Sequence, residues 1–173
     1  MAINILQRSL KQAKALTTFL SLSHWYSLEN DTPREGIKKV TKEELLRRAD
    51  IVDLHMRVSD KTYHMIGREE LEMMKDTAIL VNTARSRLVD TDALVDALKN
   101  GKIMGAALDV FDEEPLDPAS PLLELDNVTL TTHQGGVTVN AFDDSPAMLL
   151  HEIERFFSGE APRFLQNPSV LNK

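Results

Sequence analysis

Residues 80–85 read Leu-Val-Asn-Thr-Ala-Arg, and residues 105–111 read Gly-Ala-Ala-Leu-Asp-Val-Phe, shortly before Glu114. Each segment is a short apolar run that stops abruptly at polar residues. Such a run is typical of a strand that is buried on both faces of a parallel sheet. Because open parallel sheets bind their ligands just beyond the carboxyl ends of the strands, the polar residues at these two ends are candidates for a functional site.

A third apolar run, residues 128–133, ends at His133 and leads into a glycine loop. If the three runs are neighbouring strands, Arg85, Glu114 and His133 meet at one edge of the sheet. A guanidinium, a carboxylate and an imidazole together make an acid–base site, since imidazole titrates near neutral pH. Taken singly, each of the three has a plain structural alternative: a surface arginine, a turn carboxylate and a loop histidine.

The middle and the end of the chain alternate predicted helices with predicted strands. Thr41 and Glu44 form a capping box, which predicts a helix that ends at Arg48. Gly101 suits the left-handed end of a later helix. The predicted helices are 41–48, 68–74, 90–100 and 145–159, the last with Ser145 as N-cap and Pro146 as first residue, and the predicted strands are 51–56, 77–81 and 103–111. This alternation predicts an α/β fold in which helices cover both faces of a parallel sheet.

The composition limits the class of protein. The chain has 173 residues, of which 42% are hydrophobic, and a formal net charge of -7. An acidic chain is a poor candidate for nucleic-acid binding, because phosphate backbones require a basic surface. The absence of cysteine excludes disulfides, thiol catalysis and zinc–thiolate sites, and no metal site is predicted. No apolar run approaches the roughly 20 residues that cross a bilayer.

The first part of the chain is basic, and its first acidic residue is Glu29. Its apolar residues follow a helical period from residue 6 to residue 20, after which residues 19–26 are typical of a strand. A basic, acid-poor and amphipathic start is typical of a mitochondrial transit peptide. The other interpretation, the basic face of an ordinary domain helix, is the one we expect, with a cytoplasmic location.

Several segments together resemble one family, the D-isomer-specific 2-hydroxyacid dehydrogenases. The resemblance extends from about Val40 to Val139, and more loosely to Leu171. Each motif alone is weak, but their order and spacing make them jointly specific. The matching segments are 49–55 (Ala-Asp-Ile-Val-Asp-Leu-His), 74–75 (Met-Lys), 81–85 (Val-Asn-Thr-Ala-Arg), 106–111 (Ala-Ala-Leu-Asp-Val-Phe) with 114–116 (Glu-Pro-Leu), and 127–133 (Asn-Val-Thr-Leu-Thr-Thr-His).

The resemblance implies a fold and an activity. Members of this family pass a hydride between C2 of a 2-hydroxy acid and NAD or NADP, and their coenzyme domain is a Rossmann-type, doubly wound parallel sheet. By resemblance, residues 1–140 are an NAD(P)-binding domain that is incomplete at its N-terminal side. Residues 141–173 are then the C-terminal helix and tail of the substrate domain. Coenzyme domains of this family commonly pair, so a homodimer is expected, without nucleic-acid or membrane partners.

The resemblance also implies roles for individual residues. Arg85 would bind the carboxylate and carbonyl of the substrate, for which a guanidinium fork is well shaped. His133 would take the hydroxyl proton during oxidation, and Glu114 would hydrogen-bond that imidazole and favour its charged form. Asp109 would face the nicotinamide amide, whereas His55 is expected to have a structural role. The residues expected along the cofactor are Thr83, Ala84, Arg85, Asp109, His133 and Gly135.

The chain departs from the family pattern where the cofactor phosphates would bind. The glycine fingerprint is absent, since residues 6–10 read Leu-Gln-Arg-Ser-Leu and the first glycine is Gly36. Arg57 stands where the family often has proline. Ser27 or Asn30 replaces the acid that would hold the ribose, which leaves NAD and NADP both open. Two alternatives to the dehydrogenase therefore remain: a non-catalytic NAD-binding or dimerisation module, and an inactive truncated product.

Overall fold

The computed structural model describes residues 24–25 and 38–165, and the chain divides into two compact units after His133. The predicted helix over residues 6–20 and the residues offered for ribose binding lie outside the described residues. The predicted domain boundary falls later, after residue 140. The assignment of the second segment to a substrate domain therefore stays a prediction.

The first unit alternates strands with short helices. Its strands are β1 (His24–Trp25), β2 (Lys38–Lys39), β3 (Ile51–Leu54), β4 (Ile79–Asn82), β5 (Gly105–Leu108) and β6 (Val128–Leu130). Its helices are α1 (Lys42–Arg48), α2 (Arg68–Met73) and α3 (Thr91–Lys99), with 3-10 turns at Ser86–Leu88 and Pro121–Glu124. The second unit contains α4 (Val139–Phe157). Among the described residues, no helix is both long and apolar enough to cross a membrane.

Strands β3 to β6 form one four-stranded sheet in sequence order, and every neighbouring pair is parallel. The short strands β1 and β2 form a separate parallel pair. The predicted α/β architecture with a parallel sheet is therefore confirmed. One register row crosses the four strands through Leu54, Asn82, Leu108 and Leu130, so the strands end level with one another. We call the residues just past this row the carboxyl edge.

The core of the first unit joins the sheet to its helices. Leu46 of α1, Leu80 of β4 and Leu94 of α3 are fully buried members of one apolar cluster. Helix α2 packs against both α1 and α3. Burying a leucine contributes about 1.5–3 kcal/mol, so this layer holds the strands in place. The core thus holds together the strands whose ends form the carboxyl edge.

Local signals in the sequence set the ends of two helices. The hydroxyl of Thr41 accepts a hydrogen bond from the Glu44 N–H at 3.1 Å, which confirms the predicted start of α1. Asp90 caps α3 in the same way, with its carboxylate 3.0 Å from the Ala93 N–H. Past the end of α3, Gly101 adopts the predicted left-handed conformation, with φ of +64°.

The predicted strands lie in the right places, but most are too long. The strand predicted over residues 103–111 pairs with its neighbours only over Gly105–Leu108, and the one over 51–56 only over Ile51–Leu54. The apolar pattern continues past the point where the ladder stops. Strand β5 ends at Leu108, although the next residue, Asp109, still donates one backbone hydrogen bond to Asn82. Apolar continuity therefore overestimates the length of a strand that ends in a site.

The start of the last helix is predicted wrongly. Ser145 and Pro146 are predicted as its N-cap and first residue, whereas α4 begins at Val139 and contains Pro146. A proline removes one helical hydrogen bond, but its fixed φ of about -65° is itself helical, so a long helix accommodates it. Several apolar side chains of α4 are exposed, among them Leu149 and Phe157.

Gly105, the first residue of β5, lies close to the backbone that leads into β6. A Cβ at this position would lie 2.8 Å from the carbonyl oxygen of Asn127, which accepts a hydrogen bond from Ala106. We expect Gly105→Ala to lower the free energy of unfolding by about 1–3 kcal/mol, because the backbone must shift. The measurement is the urea midpoint at constant slope. Gly136→Ala is the control, since a Cβ there meets nothing within 4 Å among the described residues. Equal losses in both variants would contradict the steric explanation.

Candidate active site

The carboxyl edge carries a row of polar residues. Immediately past the register row lie Thr83 after β4, Asp109 after β5 and Thr131 after β6. Two backbone hydrogen bonds extend the sheet by one residue here: Asp109 donates to Asn82, and Thr131 donates to Leu108, each at 3.0 Å. The polar ends of the three apolar runs therefore share one edge of the sheet.

Asp109 is a buried carboxylate at this edge, with only 3% of the residue exposed. Its Oδ1 accepts a hydrogen bond from Thr131 Oγ1 at 2.5 Å. Burying a carboxylate is costly unless it is hydrogen-bonded, so Thr131 is part of what holds Asp109 in place. Sequence reasoning assigned Thr131 no role, because the contact depends on the register between β5 and β6.

A turn built by Asn82 carries Arg85. Asn82 is 1% exposed, its amide donates to the carbonyl of Arg85 at 2.8 Å, and its Oδ1 accepts from the Ala84 N–H at 3.1 Å. The guanidinium of Arg85 is exposed and donates to the carbonyl of Ala84 at 2.6 Å. Asn82 is thus a positioning residue that the sequence motif contained without a role.

Glu114 and His133 form a hydrogen-bonded pair. His133 Nδ1 lies 2.8 Å from Glu114 Oε2, and the Phe111 N–H donates to Glu114 Oε1 at 3.0 Å. The hydrogen bond from His133, and then that from Phe111, lower the pKa of Glu114, against the opposing effects of desolvation and of the charge on Asp109. Glu114 is therefore ionised at neutral pH and is the hydrogen-bond acceptor of the pair.

The backbone around this pair is unusual at two points. His133 has φ of +56°, in the left-handed region that few non-glycine residues adopt. The peptide bond between Glu114 and Pro115 is cis. Neither feature is predicted by the apolar pattern of the flanking strands.

The pKa of Glu114 provides a direct test of the pair. Because the folded-state pKa lies below the ordinary value of 4.5, the contact stabilises the fold above that value and is lost as pH falls through the lowered pKa. We expect His133→Ala to raise the pKa of Glu114, since it removes the largest cause of the shift. The measurement is an NMR titration of the Glu114 carboxyl group. An unchanged titration in the variant would mean that the imidazole does not act on Glu114.

The predicted site residues are only partly joined by contacts. Within the part of the chain that the structure describes, Arg85 makes no hydrogen bond or ion pair with Glu114 or His133. It lies after β4, whose neighbour β5 leads into Glu114, and the residue is exposed. Thr83 is exposed and Ala84 half-buried at the same place. Gly135 is an exposed turn residue of the second unit.

The residues at the carboxyl edge fit the nicotinamide end of NAD(P). A nicotinamide carboxamide is an N–H donor, and Asp109 supplies a carboxylate acceptor where parallel sheets bind their ligands. The segment that would face the phosphates, residues 6–10, lies outside the described residues. The fold defines a class, a Rossmann-type nucleotide-binding domain, and this one carries a hydrogen-bonded Glu114–His133 pair.

The family follows from comparison with known proteins. Residues 4–135 match the family model described as "D-isomer specific 2-hydroxyacid dehydrogenase, NAD binding domain". The chain belongs to this family, which confirms the resemblance read from the motifs.

Two curated relatives show how much of such a protein this chain represents. It is 45% identical over 136 residues to a glyoxylate reductase of Korarchaeum cryptofilum, covering 79% of this chain and 41% of the relative. It is 40% identical over 163 residues to a glyoxylate reductase of Thermofilum pendens, covering 92% and 48%. The chain thus spans less than half the length of these relatives.

Solved structures agree with the fold. The TT0316 protein of Thermus thermophilus has a TM-score of 0.78 and 37% identity, over 87% of this chain and 48% of that one. The NAD complex of the D-isomer specific 2-hydroxyacid dehydrogenase from Lactobacillus delbrueckii ssp. bulgaricus has a TM-score of 0.73 and 30% identity, over 81% and 46%. The Xanthobacter autotrophicus Py2 enzyme of the same description, in complex with NADPH and MES, has a TM-score of 0.71 and 28% identity, over 81% and 58%.

Proposed function

We propose that this chain is an oxidoreductase that transfers a hydride between NAD or NADP and a 2-hydroxy or 2-keto acid. The observation that carries the proposal is the hydrogen-bonded pair of Glu114 and His133. Glu114 follows β5 and His133 follows β6, and Asp109 lies at the carboxyl edge where β5 ends. Glyoxylate is the first keto acid to test, because both curated relatives described above are glyoxylate reductases.

In the direction of reduction, His133 gives a proton to the carbonyl oxygen of the keto acid. Its Nδ1 faces Glu114, so Nε2 is the nitrogen that faces the substrate. The carboxylate of Glu114 orients the ring through its hydrogen bond to Nδ1. Arg85 binds the carboxylate of the substrate through its guanidinium fork. Bound NADH or NADPH supplies the hydride that adds to C2.

The cofactor is NAD or NADP. Asp109 would accept a hydrogen bond from the nicotinamide amide of a bound cofactor, and the other residues proposed to hold that cofactor are Thr83, Ala84, Arg85, His133 and Gly135. Structural relatives with bound NAD and with bound NADPH support either form. On the same grounds of family, we propose a cytoplasmic homodimer, which light scattering on the purified chain would test.

The proposal is tested with the purified chain in two steps. NADH and NADPH fluorescence titrations report cofactor binding, and loss of NADH or NADPH absorbance reports turnover with glyoxylate, pyruvate and hydroxypyruvate. Saturable oxidation that depends on a keto acid supports the proposal. Binding without turnover on any of the three assigns the chain as a non-catalytic NAD-binding module.

A further inference from the structure

The loop after β3 brings two basic side chains to the carboxyl edge. Leu54 ends β3 in the register row, so His55 and Arg57 follow it on the same edge as Thr83. Both residues are exposed. Neither is needed for the acid–base chemistry proposed above, which lies on β4, β5 and β6.

The buried hydroxyl of Thr62 holds the backbone of this loop through hydrogen bonds. Thr62 is 2% exposed, and its hydroxyl donates to the carbonyl of Arg57 at 2.6 Å. The same hydroxyl accepts from the Ser59 N–H at 2.8 Å. Arg57 therefore projects from an anchored position, and its guanidinium has no acidic partner among the described residues.

His55 is held by the carboxylate of Asp53, with Nε2 and Oδ2 at 2.7 Å. This hydrogen bond raises the pKa of His55, against the lowering effect of desolvation. Asp53 offsets the charge of a protonated His55, so the net positive charge of the loop edge comes mainly from Arg57. Both side chains nevertheless offer N–H donors to an anion.

The position along the edge indicates which part of a dinucleotide would meet these donors. β3 lies two strands from β5, and adjacent strands are 4.7–4.9 Å apart. The Cα atoms of His55 and Asp109 are therefore about 10 Å apart. That distance is the scale of the ribose that links a nicotinamide ring to its first phosphate. On the other side of β5 the described sheet continues only by β6, which leads to His133, so a cofactor with its nicotinamide at Asp109 would extend its phosphates toward β3.

We propose that His55 and Arg57 form a phosphate-binding subsite for the cofactor; the inference rests on the proposed function. Residues 6–10 contain no glycine, whereas a Rossmann fingerprint binds the phosphates through closely approaching backbone N–H groups. Two side-chain donors on an anchored loop supply the missing contacts. The proline that the family often has at the position of Arg57 could not supply such a contact, because proline has neither a charge nor an N–H.

The test is the dissociation constant of NADH and of NADPH for the purified chain, measured by nucleotide fluorescence. We expect Arg57→Gln to weaken binding about tenfold, because a charged donor binds phosphate more strongly than a neutral one, and His55→Gln to weaken it less. Arg47→Gln is the matched control, because Arg47 lies in the last turn of α1, away from the carboxyl edge. Thermal unfolding of each variant checks that the fold is intact.

The outcomes separate the subsite from the proposed function. Equal weakening for NADH and NADPH assigns the diphosphate to the subsite, and weakening for NADPH alone assigns the 2′-phosphate. Wild-type affinity of Arg57→Gln for both nucleotides, or the same loss in Arg47→Gln, would overturn the subsite and leave the proposed function standing. A wild-type chain that binds neither nucleotide would overturn the cofactor assignment itself. Turnover of His133→Ala then reports on the chemistry independently of phosphate binding.

Discussion

We expect His133→Ala to lower keto-acid turnover by about 10²–10⁴-fold, the usual contribution of a positioned general acid. Alanine removes the imidazole that gives its proton to the carbonyl oxygen. A water molecule in its place would lack the orientation that Glu114 gives to the imidazole. The binding of NADH should change far less than turnover, because most proposed cofactor contacts come from β4, β5 and the loop after β3. The measurements are steady-state NADH oxidation and NADH fluorescence on the same preparations.

A matched control separates loss of the acid from loss of any histidine. His151 lies on α4 with its side chain 80% exposed, so His151→Ala should keep wild-type turnover. Equal turnover in His133→Ala and the wild-type chain would remove the acid–base role proposed for the pair. The pH profile offers a second check, since a rate that depends on an ionised Glu114 declines as pH falls through its lowered pKa.

The second large effect is expected for Arg85→Lys. Lysine keeps the charge but loses the planar fork that binds a carboxylate through two hydrogen bonds. We expect kcat/KM for the keto acid to fall on the order of a hundredfold, about 3 kcal/mol, with cofactor binding largely retained. The measurement is the initial rate over a range of keto-acid concentrations, compared with NADH affinity.

Arg87→Lys is the control for this prediction, because Arg87 is equally charged and exposed in the 3-10 turn that follows Arg85. It should behave as the wild type. If Arg85→Lys retained full kcat/KM, the substrate carboxylate would have to bind elsewhere. If both variants lost activity equally, the loss would reflect the loop rather than the guanidinium of Arg85.

Much of the fold could be read from local patterns. The apolar runs before Asn82 and Asp109 mark β4 and β5 because a strand buried on both faces tolerates few polar residues. Thr41 marks the start of α1 because its hydroxyl satisfies an N–H that the helix leaves unpaired. The motifs around Arg85 and His133 also identify the family. The roles of Arg85, Glu114 and His133 remain predictions, since contacts alone do not establish chemistry.

Other features were misread or missed because they depend on contacts between distant residues. Pro146 looks like a helix start locally, yet α4 continues through it from Val139. Asn82 looks like the polar end of a strand, but its buried amide builds the turn that carries Arg85. His55 and Arg57 appear as scattered basic residues until the register of β3 brings them beside β4.

By itself, the sequence determined the four segments that form the main sheet and the polar residues that follow them, because hydrophobicity and hydrogen-bonding capacity are properties of single side chains. The tertiary structure alone decided which of those residues meet. Register sets the Asp109–Thr131 contact, and the loop after β5 brings Glu114 to His133. The reason is physical: these pairs are far apart in the chain, and only the packed core and the hydrogen-bonded sheet hold them within a few ångströms.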